Sequence, residues 1–543
     1  MKTPTCVSTG ASTFECRSTK RPDDASCDDA DPCTVDETCT GGVCGGGVLP
    51  IDQDWSHPLA VGNAMGGTAV DIDEAGSVWW FVSVTQRETS FGLDPGGTPV
   101  TLTLDEGQQT GIGVVRFDPD GSPREARVLV SSIGDVRLPT TSRRPARTVR
   151  VAGHAARQLV VVGTFVGETR YPNEAGIQTE AVHTIGDRGY FVAEFDATNG
   201  RATRFIEIQS SAIVEDLKGT PLVVALGASG AAAVVVPVDQ TRSAELRGVA
   251  TAPPGDSITS WVLYLSQSGA LAWEGEIKSP PFPATGFPIT ASAAMDDSGA
   301  VWLMGRVVGS GEWWLGDKGS PPFAATRAID GFALRLGADG EYGALAQFAG
   351  TGGITLLDAA VDGPGQHFAC AALFSADLVD VTGQEPHVLF PDDPLAATQL
   401  AVMALDATAK FRHAYRAPSA NLVLQAFGAG SLIVSLLGSS ELLDGEQSLF
   451  GAGAPGEIRL AGIPMDATTK PWAFDAARVP GDPSDASYFG LAVSPQVGFA
   501  IAVGSGDVLG PHLVGDPPAS VDAGQAFVSL MNSRDGMACR SAR

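Results

Sequence analysis

One short pattern recurs seven times along this chain and restricts its fold more than any other feature. Each copy is an apolar run that ends in a polar or Gly-containing turn, as in DGFALRLGADG from Asp330 to Gly340. The seven runs begin at Gly111, Gly189, Thr259, Asp330, Gln399, Arg459 and Gln525. Six intervals separate the seventh residue of the first run, Phe117, from that of the last run, Met531, and they average 69 residues. A period of this length indicates a chain of similar supersecondary units.

A series of hairpins alternates with these apolar runs and recurs at a similar spacing. Each member is a short strand, a turn and a more apolar strand, as in AVDIDEAGSVWW, which starts at Ala69. Each unit therefore holds four strands, a to d, in an a–b and a c–d hairpin. Because one sheet cannot cover both of its own faces, seven such units pack best radially. The sequence predicts an all-β fold, a seven-bladed β-propeller of four-stranded antiparallel blades; a string of β-sandwiches is the less favoured alternative.

The predicted boundaries give a small module over residues 1–48 and a propeller over residues 52–543. The units are expected near residues 67–131, 146–209, 220–278, 290–350, 354–416, 422–478 and 486–543. The last unit leaves only a very short segment for its strand d. Residues 53–61 precede the first unit and have no blade of their own, so we expect them to join the seventh blade and close the ring. An open ring would expose an unpaired sheet edge.

The cysteines are concentrated at the start of the chain. Six of the eight lie within the first 44 residues: Cys6, Cys16, Cys27, Cys33, Cys39 and Cys44. An even, dense cluster in a polar segment predicts disulfides and an oxidising compartment. Zinc binding is the alternative, but the gaps lack the paired C-x₂-C of most zinc sites. The stretch MKTPTCVSTG has no apolar signal-peptide core, so we expect that the true start lies upstream or that the chain is a trimmed product. Cys370, within an apolar strand, is expected to be a buried free thiol.

The charge balance argues against nucleic acid as a partner. The chain carries a formal net charge of −27 and a pI near 4.5, and an acidic field repels phosphates. Residues 417–440 carry no charge, yet a Gly-Ala-Gly break divides them into two short apolar runs. A buried hairpin explains this segment, so we expect no transmembrane segment. We also expect the protein to be a monomer.

Two blocks of the sequence resemble known families. The block DGFALRLGADG, with LGDKGSPPF before it, resembles the repeats of bacterial extracellular β-propeller proteins. The stretch CDDADPCTVDETCTGGVCGG from Cys27 resembles modules at the start of secreted, myxobacterial-type proteins. The propeller resemblance covers residues 52–543 and weakens in the sixth unit, where PMDATTKPW lacks the turn glycine. The resemblance implies a secreted or cell-surface protein and no particular activity.

Acidic turns make calcium a conceivable ligand. The candidate ligands are Asp71 and Asp73 in DIDEAG, and Asp118 and Asp120 in DPDG. Asp and Gly are also the residues that tight turns require, and no full D-x-D-x-D-G loop with a closing Glu occurs. The sequence favours a structural role for these residues in turns and leaves calcium binding as the alternative. It predicts no other cofactor.

The pair Trp313 and Trp314 lies in the b–c connection of the fourth unit. Exposed aromatic rings can stack on sugars, which makes the pair a ligand-binding candidate. Other units carry apolar residues such as Tyr171 and Val381 at this place, and that favours packing within the blade. The b–c connections are long and varied, so we expect recognition on their rim.

The sequence is compatible with two classes of function. The sequence contains no HExxH, P-loop or G-x-S-x-G motif and assigns no catalytic residue. It favours a non-catalytic extracellular or cell-surface scaffold that binds or adheres to a protein or glycan. The alternative is a secreted propeller enzyme, such as a quinoprotein dehydrogenase, or a hydrolase or lyase with its site in the central channel.

Overall fold

A computed structural model describes the chain over many short ranges. The described residues are 2–10, 13–20, 38–40, 43–45, 52–59, 68–73, 75–138, 140–141, 144–145, 149–152, 158–172, 178–183, 189–210, 223–227, 229–238, 244–246, 250–252, 259–278, 289–315, 318–320, 323–382, 386–391, 399–417, 421–428, 431–437, 442–444, 447–450, 457–464, 472–478, 488–494, 498–504 and 526–532. Within these ranges the secondary structure consists of strands and turns, with no helix. No helix that could span a membrane is therefore found in the described part of the chain.

The strands are numbered in chain order. Before the fourth repeat they are β1 (Lys2–Gly10), β2 (Thr13–Lys20), β3 (Thr38–Thr40), β4 (Val43–Gly45), β5 (Asp52–Leu59), β6 (Thr68–Ile72), β7 (Val78–Val84), β8 (Glu88–Leu93), β9 (Pro99–Thr103), β10 (Thr110–Phe117), β11 (Pro123–Ser132), β12 (Asp135–Arg137), β13 (Thr140–Thr141), β14 (Arg144–Pro145), β15 (Val149–Ala152), β16 (Gln158–Val166), β17 (Glu168–Pro172), β18 (Gln178–His183), β19 (Gly189–Asp196), β20 (Ala202–Ser210), β21 (Val223–Leu226), β22 (Ala232–Val238), β23 (Ala244–Leu246), β24 (Ala250–Ala252), β25 (Thr259–Leu265) and β26 (Leu271–Lys278). From the fourth repeat onward they are β27 (Ile289–Met295), β28 (Val301–Val307), β29 (Ser310–Leu315), β30 (Lys318–Gly319), β31 (Phe323–Ala324), β32 (Asp330–Leu336), β33 (Tyr342–Ala349), β34 (Ile354–Val361), β35 (His367–Phe374), β36 (Leu378–Asp380), β37 (His387–Phe390), β38 (Gln399–Asp406), β39 (Phe411–Ala417), β40 (Asn421–Gly428), β41 (Ser431–Leu437), β42 (Leu442–Asp444), β43 (Gln447–Phe450), β44 (Glu457–Pro464), β45 (Trp472–Arg478), β46 (Tyr488–Ser494), β47 (Gly498–Gly504) and β48 (Ala526–Asn532).

Seven sheets of four or more strands account for most of the described residues. Their four principal strands are, in order, β6-β7-β10-β11, β15-β16-β19-β20, β21-β22-β25-β26, β27-β28-β32-β33, β34-β35-β38-β39, β40-β41-β44-β45 and β46-β47-β48-β5. All ladders between described strands are antiparallel, and in the first six sheets the four principal strands form two successive hairpins. The small pairs β1-β2, β3-β4, β8-β9 and β13-β14 form separate two-stranded sheets, and β8-β9 packs against the first sheet.

The second and third strands of the sheets are mostly apolar in sequence, and β25 of the third sheet shows the reason. In β25, Trp261 and Leu263 pack with side chains of the second sheet, whereas Val262 and Tyr264 pack with those of the fourth. Successive side chains of a strand point to opposite faces, so a continuous apolar run indicates a strand buried on both faces. The third sheet is therefore a layer between the second and the fourth.

Five apolar clusters fill the spaces between successive sheets from the first to the sixth. In the cluster between the fourth and fifth sheets, Trp302 stacks on Phe368 with ring centroids 4.2 Å apart. Cys370 lies in the same cluster, fully buried and free, and burial raises the pKa of its thiol. The expectation of a buried free thiol at Cys370 is confirmed.

The turns within the hairpins follow one hydrogen-bonding scheme. The amide of Asp118 donates to the carbonyl of Ser122, and Gly121 donates back to the carbonyl of Asp118. Gly121 has a φ of 83°, and the ladder shifts register at Phe117, as in a hairpin with a glycine bulge. Gly340 does the same in the fourth sheet, and a Cβ there would lie 2.8 Å from a ring atom of Trp273.

Side chains of a fourth strand reach the turn of the next sheet in three consecutive places. Arg127 donates to the carbonyl of Ala197 at 3.0 Å, and Arg204 donates to the carbonyl of Ser266 at 3.3 Å. The indole of Trp273 donates to the carbonyl of Ala338 at 2.9 Å. These bonds join the first sheet to the second, the second to the third and the third to the fourth, and so fix neighbouring sheets at the rim of the c–d turns.

The connections between strands b and c differ from the expected loops. Five of them contain short strands that pair with the outermost strand of the preceding sheet. The pairs are β17 with β11, β23 with β20, β29 with β26, β36 with β33 and β42 with β39. The first five sheets therefore have six or seven strands rather than four, because an added hairpin satisfies backbone groups that a bare edge would leave unpaired.

The two ends of the chain meet in one sheet. Strand β5 pairs antiparallel with β48, from Asp52 opposite Asn532 to Leu59 opposite Ala526. Strand β46 of the same sheet contacts β6, the first strand of the first sheet. The contacts between sheets thus return from the last sheet to the first.

Truncation tests the role of β5. Deleting residues 1–62 removes a ladder of backbone hydrogen bonds, each worth about 1 kcal/mol net, and should lower the thermal unfolding midpoint by about 5 °C or more. Deleting residues 1–48 leaves β5 in place and should leave the midpoint nearly unchanged. Circular dichroism melts compare the two truncations with the full chain. Equal midpoints for the two truncations would contradict a closing role for β5.

Candidate functional site

The acidic residues nominated for calcium are used by their own turns. Asp73 accepts a hydrogen bond from the amide of Ser77 at 2.8 Å and another from the indole of Trp79 at 3.0 Å. Both of its carboxylate oxygens therefore have protein partners. Asp71 lies on β6, where its carboxylate accepts from the amide of Ile72.

The second acidic pair behaves in the same way. Asp118 forms an ion pair with Arg124, which lies across the turn. Asp120 accepts from the amide of Ser122 at 2.9 Å, and this bond lowers the pKa of its carboxyl group. The carboxylates act as hydrogen-bond acceptors that hold the hairpin turns, which is the chemistry that Asp commonly contributes in turns. In the described ranges, no three His, Cys, Asp or Glu side chains converge on a possible metal position.

Trp313 and Trp314 lie on β29, the hairpin strand that adds to the third sheet. Trp313 is 1% exposed, packs in the cluster between the third and fourth sheets, and donates its indole hydrogen to the carbonyl of Gly340 at 3.1 Å. Its ring meets Trp273 edge-on. Trp314 points to the other side of the strand and is half-buried. Trp313 is thus a packing residue, whereas Trp314 keeps part of its surface in contact with solvent.

The b–c connections also carry two exposed apolar side chains that sequence reasoning missed. Leu93 ends β8 with 60% of its surface exposed, and Val388 on β37 is 56% exposed. The only other large apolar side chains exposed among the described residues are Ile133 and Tyr342, both less so. No motif identifies Leu93 or Val388, since a single apolar residue in a short strand reads as core.

An ion pair anchors the hairpin that carries Val388. Asp377, just before β36, accepts hydrogen bonds from the guanidinium of Arg327 and the amide of Thr351, both at 2.6 Å. The bond from Arg327, assisted by those from Thr351, holds the pKa of the Asp377 carboxyl group well below its usual range. The hairpin of the fifth unit is thereby fastened to the fourth sheet.

A polar contact joins the first strands of the fourth and fifth sheets. The hydroxyl of Ser292 on β27 donates to Asp358 Oδ1 on β34 at 3.1 Å, and the amide of Ala359 donates to the same oxygen. Both strands have a register shift next to these residues. The bulges turn the two polar side chains toward each other on neighbouring first strands, the part of a radial arrangement that lines its centre.

The six N-terminal cysteines are described only in part. Cys6 and Cys16 lie opposite each other in the β1–β2 ladder, and Cys39 lies opposite Cys44 in the β3–β4 ladder. Cys27 and Cys33 lie outside the described residues. So does Cys539.

Comparisons with known proteins give fold likeness only. No protein-family model and no curated protein sequence matches the chain. Among solved structures, a calcium-binding protein, regucalcin, from Agrobacterium tumefaciens is 12% identical and covers 58% of this chain and 85% of its own, with a TM-score of 0.20. The Synechocystis apocarotenoid oxygenase is 11% identical over 88% of this chain and 93% of its own, with a TM-score of 0.33.

NanB sialidase from Streptococcus pneumoniae is 10% identical over 89% of this chain and 71% of its own, with a TM-score of 0.28. All three are β-propeller proteins. At these identities and TM-scores the likeness supports no inference about activity, and the sheet topology carries the structural argument.

Matched tryptophan variants test the assignment of β29. Trp313→Ala should lower the free energy of unfolding by about 3–5 kcal/mol, because it removes a fully buried indole and its hydrogen bond. Trp314→Ala, on the neighbouring half-buried position, should cost less than half as much. Denaturant unfolding of both variants measures the difference. Similar losses at the two positions would contradict the burial difference.

The Arg327–Asp377 pair predicts a pH dependence. The folded pKa of Asp377 is lowered, so its ionised form stabilises the fold above the unfolded-state pKa of about 3.9, and this stability is lost as pH falls through the folded pKa. Asp377→Asn should therefore be less stable than wild type at pH 6, and the gap should narrow below about pH 4. In an Arg327→Ala background the gap should shrink at pH 6 as well. Urea titrations across pH measure it, and a gap that does not change with pH would refute the assignment.

Proposed function

We propose that this protein is a non-catalytic, extracellular or cell-surface scaffold that binds a protein or glycan ligand as a monomer. Its framework would be a seven-bladed β-propeller. Seven sheets of four or more strands, buried on both faces where the clusters are described, support that blade count. Contacts of β46 with β6 and the pairing of β5 with β48 support closure of the ring.

The observation that carries the proposal is the exposure of Leu93 and Val388. A fold that buries its large apolar side chains so completely leaves these two in water on b–c hairpins. Binding residues are found disproportionately on connections that a rigid scaffold holds in place. Val388 also lies on the last strand of its sheet, whose outer edge can accept an extended partner strand.

The location forms part of the same proposal. Six cysteines in a short N-terminal segment suit an oxidising compartment, and the strongly acidic composition suits solubility outside the cell. An acidic surface also disfavours polyanionic partners, so neutral or basic ligands are expected.

Ligand screening with rim variants tests the proposal. The full chain is screened against a glycan array and a displayed peptide library, and the strongest hit is titrated with variants. Leu93→Asp and Val388→Asp should weaken binding tenfold or more while leaving the unfolding midpoint nearly unchanged. Tyr342→Asp is the matched control, because Tyr342 is an exposed side chain on β33, outside the b–c hairpins. If only Tyr342→Asp abolished binding, recognition would lie outside the b–c hairpins, and the proposal would be wrong.

The Ser292–Asp358 contact supports the second candidate, a secreted propeller enzyme with a site at the centre. A hydroxyl beside a carboxylate on adjacent first strands is a polar pair that a hydrolase or lyase could use. Ser292→Ala and Asp358→Asn variants, assayed against ester, glycoside and polyuronate substrates, test it. A quinone absorbance in the purified protein would instead indicate a quinoprotein. Turnover that disappears in both variants would displace the binding scaffold as the main function.

A further inference from the structure

We propose that the six N-terminal cysteines form three local disulfides, Cys6–Cys16, Cys27–Cys33 and Cys39–Cys44. Composition alone leaves many pairings open, since the connectivity of six cysteines cannot be deduced from sequence. The backbone register of two small ladders removes that ambiguity. The inference depends on this register and is independent of the ligand proposed above.

The β3–β4 ladder carries the first pair. Thr38 is opposite Gly45, Cys39 is opposite Cys44, and Thr40 is opposite Val43. Directly opposed residues in an antiparallel pair have Cα atoms about 4.5 or 5.5 Å apart, depending on the type of pair. Disulfides occur at Cα separations of about 4.4–6.8 Å, so either type of pair is short enough. The chain between the two cysteines includes Gly41 and Gly42, a sequence typical of tight hairpins.

The β1–β2 ladder carries the second pair. Cys6 is opposite Cys16, with Thr5 opposite Arg17 and Val7 opposite Glu15 on either side. The register is continuous across all three of these positions and shifts only nearer the turn, between Ser8 and Gly10. The two cysteines are therefore held directly opposite each other by regular pairing on both sides.

The third pair follows from the first two. With the other four N-terminal cysteines paired within their hairpins and Cys370 buried, Cys27, Cys33 and Cys539 remain, and Cys33 is far nearer to Cys27 in sequence than Cys539 is. Five residues separate Cys27 and Cys33, DDADP, and they lie between β2 and β3 in the sequence. A local pairing of this kind gives three small loops in series instead of a knotted module.

Formation of each bond needs an external oxidant. A thiolate of one cysteine attacks a low-molecular-weight disulfide such as oxidised glutathione and displaces one glutathione thiol. The partner cysteine then attacks the mixed disulfide, releasing the second glutathione and a proton. Two protein thiols are thus oxidised to one disulfide while one glutathione disulfide is reduced to two thiols.

Proteolytic mapping of the full chain, refolded in a glutathione redox buffer, tests the pairing. Trypsin and a glutamate-specific protease together cut the segment into fragments that separate the three pairs. The informative cuts follow Lys2, Glu15, Arg17, Lys20, Glu37 and Glu74. Cys6 and Cys16 then lie on different fragments, Cys27 and Cys33 share the fragment before Glu37, and Cys39 and Cys44 share the fragment after it.

The proposal expects one cross-link and two internal bonds under non-reducing mass spectrometry. Fragment 3–15 should be linked to fragment 16–17, whereas fragments 21–37 and 38–74 should each be two hydrogens lighter and unlinked. A link between 21–37 and 38–74, or between either of them and a fragment holding Cys6, Cys16 or Cys539, would overturn it. Six unoxidised thiols in these fragments would overturn it too.

Variants with a single cysteine replaced by serine provide an independent test of the pairing. Cys16→Ser should free one thiol, and an alkylating label should appear on Cys6 while the other two bonds persist. Cys39→Ser should place the label on Cys44 in the same way. Cys370 serves as the internal control, because it is buried and should take label only after unfolding. Label on any other N-terminal cysteine would contradict the register-based pairing.

Discussion

The burial of both faces of the first five sheets is the constraint on which this structure depends. Strand β25 illustrates this burial, since Trp261 packs against one neighbouring sheet and Tyr264 packs against the other. A sheet of this kind has no solvent face and is stable only between two others, so every sheet needs a neighbour on each side. A linear stack would leave its first and last sheets uncovered. The contact of β46 with β6 supplies the missing neighbour at the point where a linear stack would end.

Radial packing buries faces but leaves the outermost strand of each sheet with an unpaired edge. Here the b–c connection of the next unit supplies a short hairpin that pairs with that edge, as β17 does on β11 and β36 on β33. The connection is thus part of the preceding sheet as much as of its own. Side-chain contacts anchor these hairpins. Asp377 accepts hydrogen bonds from Arg327 and Thr351 at the base of the β36–β37 hairpin. Trp313 of β29 is buried in the core and donates to the carbonyl of Gly340. Segments that look like free loops in the sequence become rigid mounts for the residues at their tips.

The sequence predicted the parts of the fold that local pattern controls. The apolar runs that start at Gly189 and Asp330 coincide with β19 and β32, and the Asp-Gly turns follow them. It did not predict the added hairpins, because strands of three residues such as β36 are too short to show alternation and their partner lies in another unit. Trp313 was ambiguous for the same reason: its burial depends on a neighbouring sheet that periodicity cannot identify. The polar contact of Ser292 with Asp358 likewise arises from two bulges and two units. Function was predicted only as a class, since the residues that could carry it are scattered over separate units.

The c–d turns and the hairpins of the b–c connections differ in how freely their residues can change. At the c–d turns, Arg127, Arg204 and Trp273 bind carbonyls of the next sheet, and a side chain at Gly340 would collide with Trp273. Substitution there disturbs the alignment of two sheets at once, so stability opposes it. On the hairpins, Leu93 and Val388 point into solvent from strands whose backbones are already paired. A change of side chain at such a position alters the surface while the ladder beneath it stays intact. Side chains at such hairpin positions can therefore change without loss of stability, whereas those at the c–d turns are held to one solution by the packing of the sheets.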